Sequence, residues 1–422
     1  MAHSPLLLQL VIILGAARLL GLVLRYFGQP AVIGEMAAGI VLGPIVFGAI
    51  APELHAHVFE PASRAGLESL SQLGLVLFMF IVGAELRMPT GARSQIVSAT
   101  WIGVLSVLLP MGLGIAIAYP MYSTMAPQGV PFWPFALFMA SAMSITAFPV
   151  MARILKDRGE TQTLVGRLAL TSAAVADVLA WILLALVVVL ASSAQNWNAF
   201  VRQIVGVMIL CAVIFGILRP LIAWLLKRYA SDGRPAGALL AALLICTFAC
   251  AYATGYLGVH PVFGAFLFGT CVPRDDRLLH SLIERIEHIA LLVLMPIFFA
   301  LAGLNTTPGA FAGAALGGLG LILAAAIGGK LLGAGLGAKI SGQTWRDSLA
   351  VGSLMNARGL MELIVIKVGL DIGVIGKEMF TMLLVMALLT TVMTSPLLTL
   401  FTRGAGCRVR GAVSRSPESP GG

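Results

Sequence analysis

Asp177 stands in TSAAVADVLAW, residues 171–181, near the centre of an apolar run from about 164 to 193. Ionisable groups at such depth are rare, and they line pathways or bundle interiors. A carboxylate there holds a proton or a metal cation, but not both together, which is the minimal chemistry of exchange. The bland alternative is a buried structural ion pair, and its partner would be Lys330, centred in LILAAAIGGKLLGAGLGAK (321–339). A second feature is backbone interruption. In ALFMASAMSITAFPVMARIL (136–155), Ser141, Ser144 and Thr146 precede Pro149, which removes an N–H and frees a carbonyl. Hydroxyls and freed carbonyls are oxygen ligands, so Ser144 and Thr146 join Asp177 as candidate ligands of a metal cation. SLAVGSLMNARGLMELIVIKVG (348–369) carries a similar interruption at 356–359, where Arg358 and Glu362 are spaced for an ion pair within one helix. Glu35, Glu85 and Lys367 lie nearer segment ends, where capping or snorkelling explains them.

The elements that carry these residues are set by composition. The chain has 422 residues, of which 59% are hydrophobic and only 11% charged, and its mean hydropathy is +0.98. Soluble domains carry about a quarter charged residues, so most of this chain faces lipid. Runs near the 20 residues needed to cross the hydrocarbon core number about thirteen. They are 5–26, 31–50, 67–86, 98–120, 134–155, 164–193, 200–226, 236–257, 260–273, 288–304, 311–338, 347–370 and 377–401. Basic residues gather in alternate loops, from Arg87 and Arg93, through Lys156 and Arg158, Lys227 and Arg228, and Arg274 to Arg285, to Arg403 and Arg408; the opposite loops hold little beyond Arg64 and Lys377. That bias predicts an outside N-terminus and a cytoplasmic C-terminus.

The net charge of +9 is spread between apolar runs, which argues against nucleic-acid binding. The five cysteines form no CxxC and no Cys/His ligand set, so neither a disulfide framework nor a zinc site is expected, and no cofactor is. No loop is long enough to hold a catalytic domain, so the chain is not expected to be an enzyme. The first run lacks a basic leader and a cleavage site and reads as a retained helix. Residues 1–402 form one membrane domain, and 403–422, rich in Gly, Pro and Ser, read as a disordered cytoplasmic tail with no nucleotide-sensing domain after them. Two interrupted segments in corresponding positions of two halves point to a transporter site: 98–193 carries a break then the aspartate, 311–401 the lysine then a break.

Several stretches together resemble the monovalent cation/proton antiporter-2 family: QPAVIGEMAAGIVLGP (29–44), LGLVLFMFIVGAEL (73–86), SITAFPVMARIL (144–155), AAVADVLAW (173–181), VHPVFGAFLFG (259–269), PIFFALAGL (296–304) and NARGLMELI (356–364). The resemblance runs across roughly 5–401. It implies an all-α polytopic protein of about thirteen helices, built as inverted repeats, with a dimerisation part, a core part and two crossed discontinuous helices. It also implies a homodimer in the inner membrane that exchanges Na⁺ or K⁺ for H⁺. By that analogy Asp177 is the ion-binding carboxylate, Lys330 the basic residue on the neighbouring core helix, Thr146 a ligand in the crossing, and Arg358 a support for the second discontinuous helix. The chain departs at Ala176, where relatives commonly carry Asn or Asp, so the family's ion stoichiometry does not transfer. The competing readings are a channel-like K⁺ efflux protein of the same fold and a non-transporting sensor or scaffold. Symport of an organic anion has little support, since the core offers no arginine cluster.

Overall fold

The structure is a computed structural model that describes residues 5–60, 63–85, 93–192, 197–229, 237–258, 260–272, 284 and 286–402. The tail at 403–422 and the loop arginines Arg87, Arg234, Arg274, Arg277 and Arg285 lie outside the described residues. All regular structure among the described residues is helical. The chain runs through α1 (Pro5–Tyr26), α2 (Ala31–Leu42), α3 (Phe47–Ile50), α4 (Pro52–Val58), α5 (Arg64–Glu85) and α6 (Arg93–Met125). The middle part holds α7 (Phe132–Ser144), α8 (Phe148–Asp157), α9 (Leu164–Ser192), α10 (Trp197–Val213), α11 (Arg219–Tyr229), α12 (Gly237–Tyr256) and α13 (Pro261–Cys271). The last part holds α14 (Met295–Leu304), α15 (Ala314–Ile340), α16 (Trp345–Met355), α17 (Leu360–Asp371) and α18 (Lys377–Thr402). Nine helical stretches among the described residues are long and apolar enough to cross a membrane.

Helix is the only open-ended element that lipid permits, because no water is there to satisfy a free backbone. That rule keeps α6 helical over 33 residues although Pro110 and Pro120 lie inside it. Proline instead shifts the hydrogen-bond register: π-turns at Ile214–Leu218 and Ala290–Leu294 stand just before Pro220 and Pro296. The run expected at 311–338 begins as helix only at Ala314, because Pro308–Phe311 forms a separate 3₁₀ turn. The runs expected at 134–155 and 347–370 are each two helices with a gap.

The helices sort into two bundles. In one, α1, α2, α5, α12, α13 and α14 pack together; in the other, α6, α7, α8, α9, α15, α16, α17 and α18 do. Glycine sets the closest crossings of the first. A Cβ on Gly39 would strike the Phe299 carbonyl and one on Gly303 the Gly39 carbonyl, so α2 and α14 touch backbone to backbone; Gly83 and Gly269 bring α5 and α13 together in the same way. In the second bundle the long helices α6 and α15 form the main contact, and α7, α16 and α18 pack on them. Arg158, capping α8, donates to Ser395 Oγ at 3.2 Å and Thr399 Oγ1 at 2.9 Å, which fastens that short helix to α18. The bundles meet where α2 packs on α18, and α10 lies between them, touching α9 of the second and α12 of the first.

Candidate functional site

Both interrupted helices break inside the second bundle, and the breaks touch. α7 stops at Ser144, Ile145 is extended (φ −70, ψ 143), and α8 starts at Phe148 with Pro149 in its first turn, where a missing N–H costs nothing. α16 stops at Met355, and Asn356 to Gly359 connect it to α17. The Ala147 amide donates to Ala357 O at 2.9 Å, and Thr146 Oγ1 donates to Met355 O at 3.3 Å. Two gaps 209 residues apart in sequence thus satisfy part of each other's backbone.

An interrupted helix leaves carbonyls unpaired at its C-terminal end, where the macrodipole is negative. Two buried cations serve that end of α7. Arg358 Nη1 donates to Ala142 O at 3.0 Å and Nη2 to Met143 O at 2.6 Å. Lys330 Nζ donates to Ser144 O at 2.5 Å and to Thr146 Oγ1 at 2.7 Å. Lys330 and Arg358 are both 0% exposed, so neither charge has water to turn to. Arg358 Nη1 also pairs with Glu362 Oε1 at 3.2 Å across one turn of α17. Arg358 therefore supports both discontinuous helices, through carbonyls of α7 and the carboxylate of α17.

Asp177 lies on α9, 3% exposed, with Ala176 beside it equally buried. Its Oδ1 is buried without a hydrogen-bond partner, and the charge acting on it is Lys330. The two do not pair: among the described residues the ion pairs are Arg158–Glu160, Arg358–Glu362 and Lys367–Asp371. The ammonium is instead engaged by Ser144 and Thr146. Four further oxygens of the same bundle are buried and unpartnered: Ser141 Oγ on α7, Ser348 Oγ on α16, Asn356 Oδ1 at the second break and Glu362 Oε2 on α17. An unsatisfied buried polar group costs about 1–3 kcal/mol, so each of these oxygens calls for a partner such as a water or an ion. Carboxylate, hydroxyl and amide oxygens are the donor set for a hard monovalent cation or a proton.

Most of the chain matches the family model for the transmembrane sodium/hydrogen exchanger, over residues 11–402. The chain belongs to the sodium/hydrogen exchanger family. As a member it is a multi-pass membrane transporter of the monovalent cation/proton antiporter class, not an enzyme. It is 38% identical over 393 residues to the Na⁺/H⁺ antiporter NhaS4 of a Synechocystis strain, covering 93% of this chain and 95% of that one. It is 35% identical to K⁺/H⁺ antiporter 1 of Saccharomyces cerevisiae over 94% of this chain, but spans only 46% of that longer protein. Its fold is like that of the sodium proton antiporter MjNhaP1 from Methanocaldococcus jannaschii, with a TM-score of 0.58 and 16% identity over 95% of this chain and 98% of that one.

In this antiporter the structure brings Ser144, Thr146 and Lys330 into direct contact and joins Arg358 to Glu362. Sequence reasoning missed the residues that hold the second break. Arg358 N donates to Thr391 Oγ1 at 2.9 Å, and Asn356 Nδ2 donates to Thr390 O at 3.3 Å. The signal for them was the hydroxyl run TTVMTSP at 390–396 in an apolar helix. Lys367, expected to snorkel, is part-exposed and pairs with Asp371 one turn on.

Proposed function

We propose that this antiporter exchanges Na⁺ or K⁺ for H⁺ by alternating access around Asp177. With the site open to one face, deprotonated Asp177 takes a partly dehydrated cation, assisted by Ser144 and Thr146. With the site open to the other face, a proton replaces the cation on the same carboxylate. Lys330 competes with the cation at both places. Its ammonium pairs with Asp177 when the carboxylate is bare, rests on Ser144 O and Thr146 Oγ1 when the carboxylate is protonated, and yields both places to an incoming cation. The names of the relatives supply both cations, sodium for the Synechocystis protein and potassium for the yeast one. The observation that carries the reading is Oδ1 of a sealed aspartate without a partner.

The finer architecture belongs to the same proposal: thirteen spans, N-terminus outside, C-terminus cytoplasmic, working as a homodimer. Inverted repeats are supported by the two glycine crossings. GEMAAG (34–39) and GAFLFG (264–269) share a spacing, and Gly39 meets Gly303 as Gly269 meets Gly83. Their helices stand seven spans apart in this count, and an odd separation reverses direction across the membrane. The two interrupted helices have the same separation.

The test uses purified protein in proteoliposomes with an internal pH dye. Cation-driven proton flux is expected for the native chain over Na⁺ and K⁺, and a fall of at least about 100-fold for Asp177→Asn, given that the carboxylate is the exchanging group. Flux that survives in Asp177→Asn ends this mechanism.

A further inference from the structure

The turn between α1 and α2 is a rigid one. Gly28, at φ +74, donates its N–H to Arg25 O at 3.0 Å, and Gln29 donates its N–H to Leu24 O at 3.0 Å. This pair of bonds is a glycine-terminated helix end, and glycine adopts that left-handed backbone without a Cβ penalty. It holds Gln29 in one place. The Gln29 side chain then leaves its own bundle: Nε2 donates to Val392 O of α18 at 3.3 Å, across 363 residues of sequence, while Oε1 is buried without a partner.

Val392 is not an arbitrary acceptor. Pro396 lies inside α18 four residues later, so the helical N–H that should reach Val392 O does not exist. Gln29 supplies the missing donor from outside the helix. The two residues preceding Val392 hold the second break, Thr390 O through Asn356 and Thr391 Oγ1 through the Arg358 amide. The bond also lies where α2 packs on α18, the contact between the two bundles.

We propose that Gln29 is a positioning residue of the transport cycle, a latch that holds the proline-freed carbonyl of α18 and ties the first bundle to the segment carrying the Arg358 break. The latch is closed in this conformation and opens when the bundles shift, so its strength sets how fast they do. This rests on the alternating-access reading. Failure of that reading appears as flux surviving Asp177→Asn; failure of the latch appears in a protein that still depends on Asp177.

The experiment is a two-residue cycle in proteoliposomes, with initial rates measured against cation concentration. Gln29→Leu keeps the bulk and removes the donor, and Gln29→Glu keeps the shape and removes it when ionised. A typical net hydrogen bond corresponds to roughly a 2- to 12-fold change in an equilibrium, so both variants are expected to turn over about threefold faster at saturating cation, with KM unchanged within about twofold. Pro396→Ala restores an N–H for Val392 O, so the same Gln29 substitutions in that background are expected to have no effect beyond about 1.5-fold. Unchanged or slower turnover, a shift in KM alone, or an equal effect in both backgrounds overturns the proposal. Should Pro396→Ala be inactive, amide hydrogen exchange of 388–395 decides: exchange in Gln29→Leu at least about threefold faster than in the native protein supports the latch, and unchanged exchange refutes it.

Discussion

Lys330 and Thr146 show how one side chain can serve two tenants. Thr146 Oγ1 accepts from the Lys330 ammonium at 2.7 Å and donates to Met355 O at 3.3 Å, so it faces a cation with its lone pairs while its proton points away. On the proposed reading, a hydroxyl in that state is already set as a ligand for Na⁺ or K⁺, with the ammonium as the tethered stand-in that keeps it oriented. Thr146→Val keeps the shape and removes both functions. Hydrogen bonds to charged groups are worth about 1.5–3 kcal/mol, so the apparent KM for the cation should rise about tenfold or more, with Thr146→Ser restoring it to within about twofold. Initial-rate measurements in proteoliposomes check this; a KM unchanged in Thr146→Val would take Thr146 out of the cation's path.

At the scale of elements, the discontinuous helices persist because their exposed ends are matched by charges from elsewhere. Removing Arg358 strips donors from Ala142 O and Met143 O and leaves the Glu362 carboxylate buried and alone. Breaking a buried pair in this way costs about 3–5 kcal/mol. Arg358→Ala should therefore lower the thermal midpoint of the detergent-solubilised protein far more than Glu362→Gln, which keeps an acceptor for Nη1. Equal shifts in the two variants would mean that the pair, and not the capping of α7, is what Arg358 provides. Much of this framework was legible in the sequence, because lipid imposes about 20 apolar residues per crossing and because Pro149 and the Asn-Ala-Arg-Gly stretch interrupt two such runs. The partners at the breaks were not legible. Depth in their apolar runs paired Lys330 with Asp177, whereas a long flexible ammonium goes to the strongest free acceptors, and which carbonyls are free depends on where α7 ends to the residue. Gln29 was equally hidden, because the carbonyl it serves is created by a proline at the far end of the chain.

Taken over the whole molecule, the charges sealed in the second bundle are few enough to count. Asp177, Glu362, Lys330 and Arg358 are its buried ionisable side chains among the described residues, and with all four ionised they cancel. Arg358 and Glu362 neutralise each other within one helix turn. On the mechanism proposed above, the transport charge is then that of Asp177 with Lys330. Ala176 offers no second carboxylate beside Asp177, and Lys330 has two oxygen acceptors, on Ser144 and Thr146, that hold it as an ammonium when it leaves Asp177. A proton and a monovalent cation on Asp177 consequently give the bundle the same net charge, and a one-for-one exchange moves no charge across the membrane. Turnover should stay constant within about 20% when a membrane potential is imposed on the vesicles, since a single moving charge would be worth about 2.3 kcal/mol per 100 mV. A rate that climbs steeply with potential would show that a second proton travels in each cycle, and Lys330 would be its carrier, because it is the charged group acting on Asp177 among the described residues.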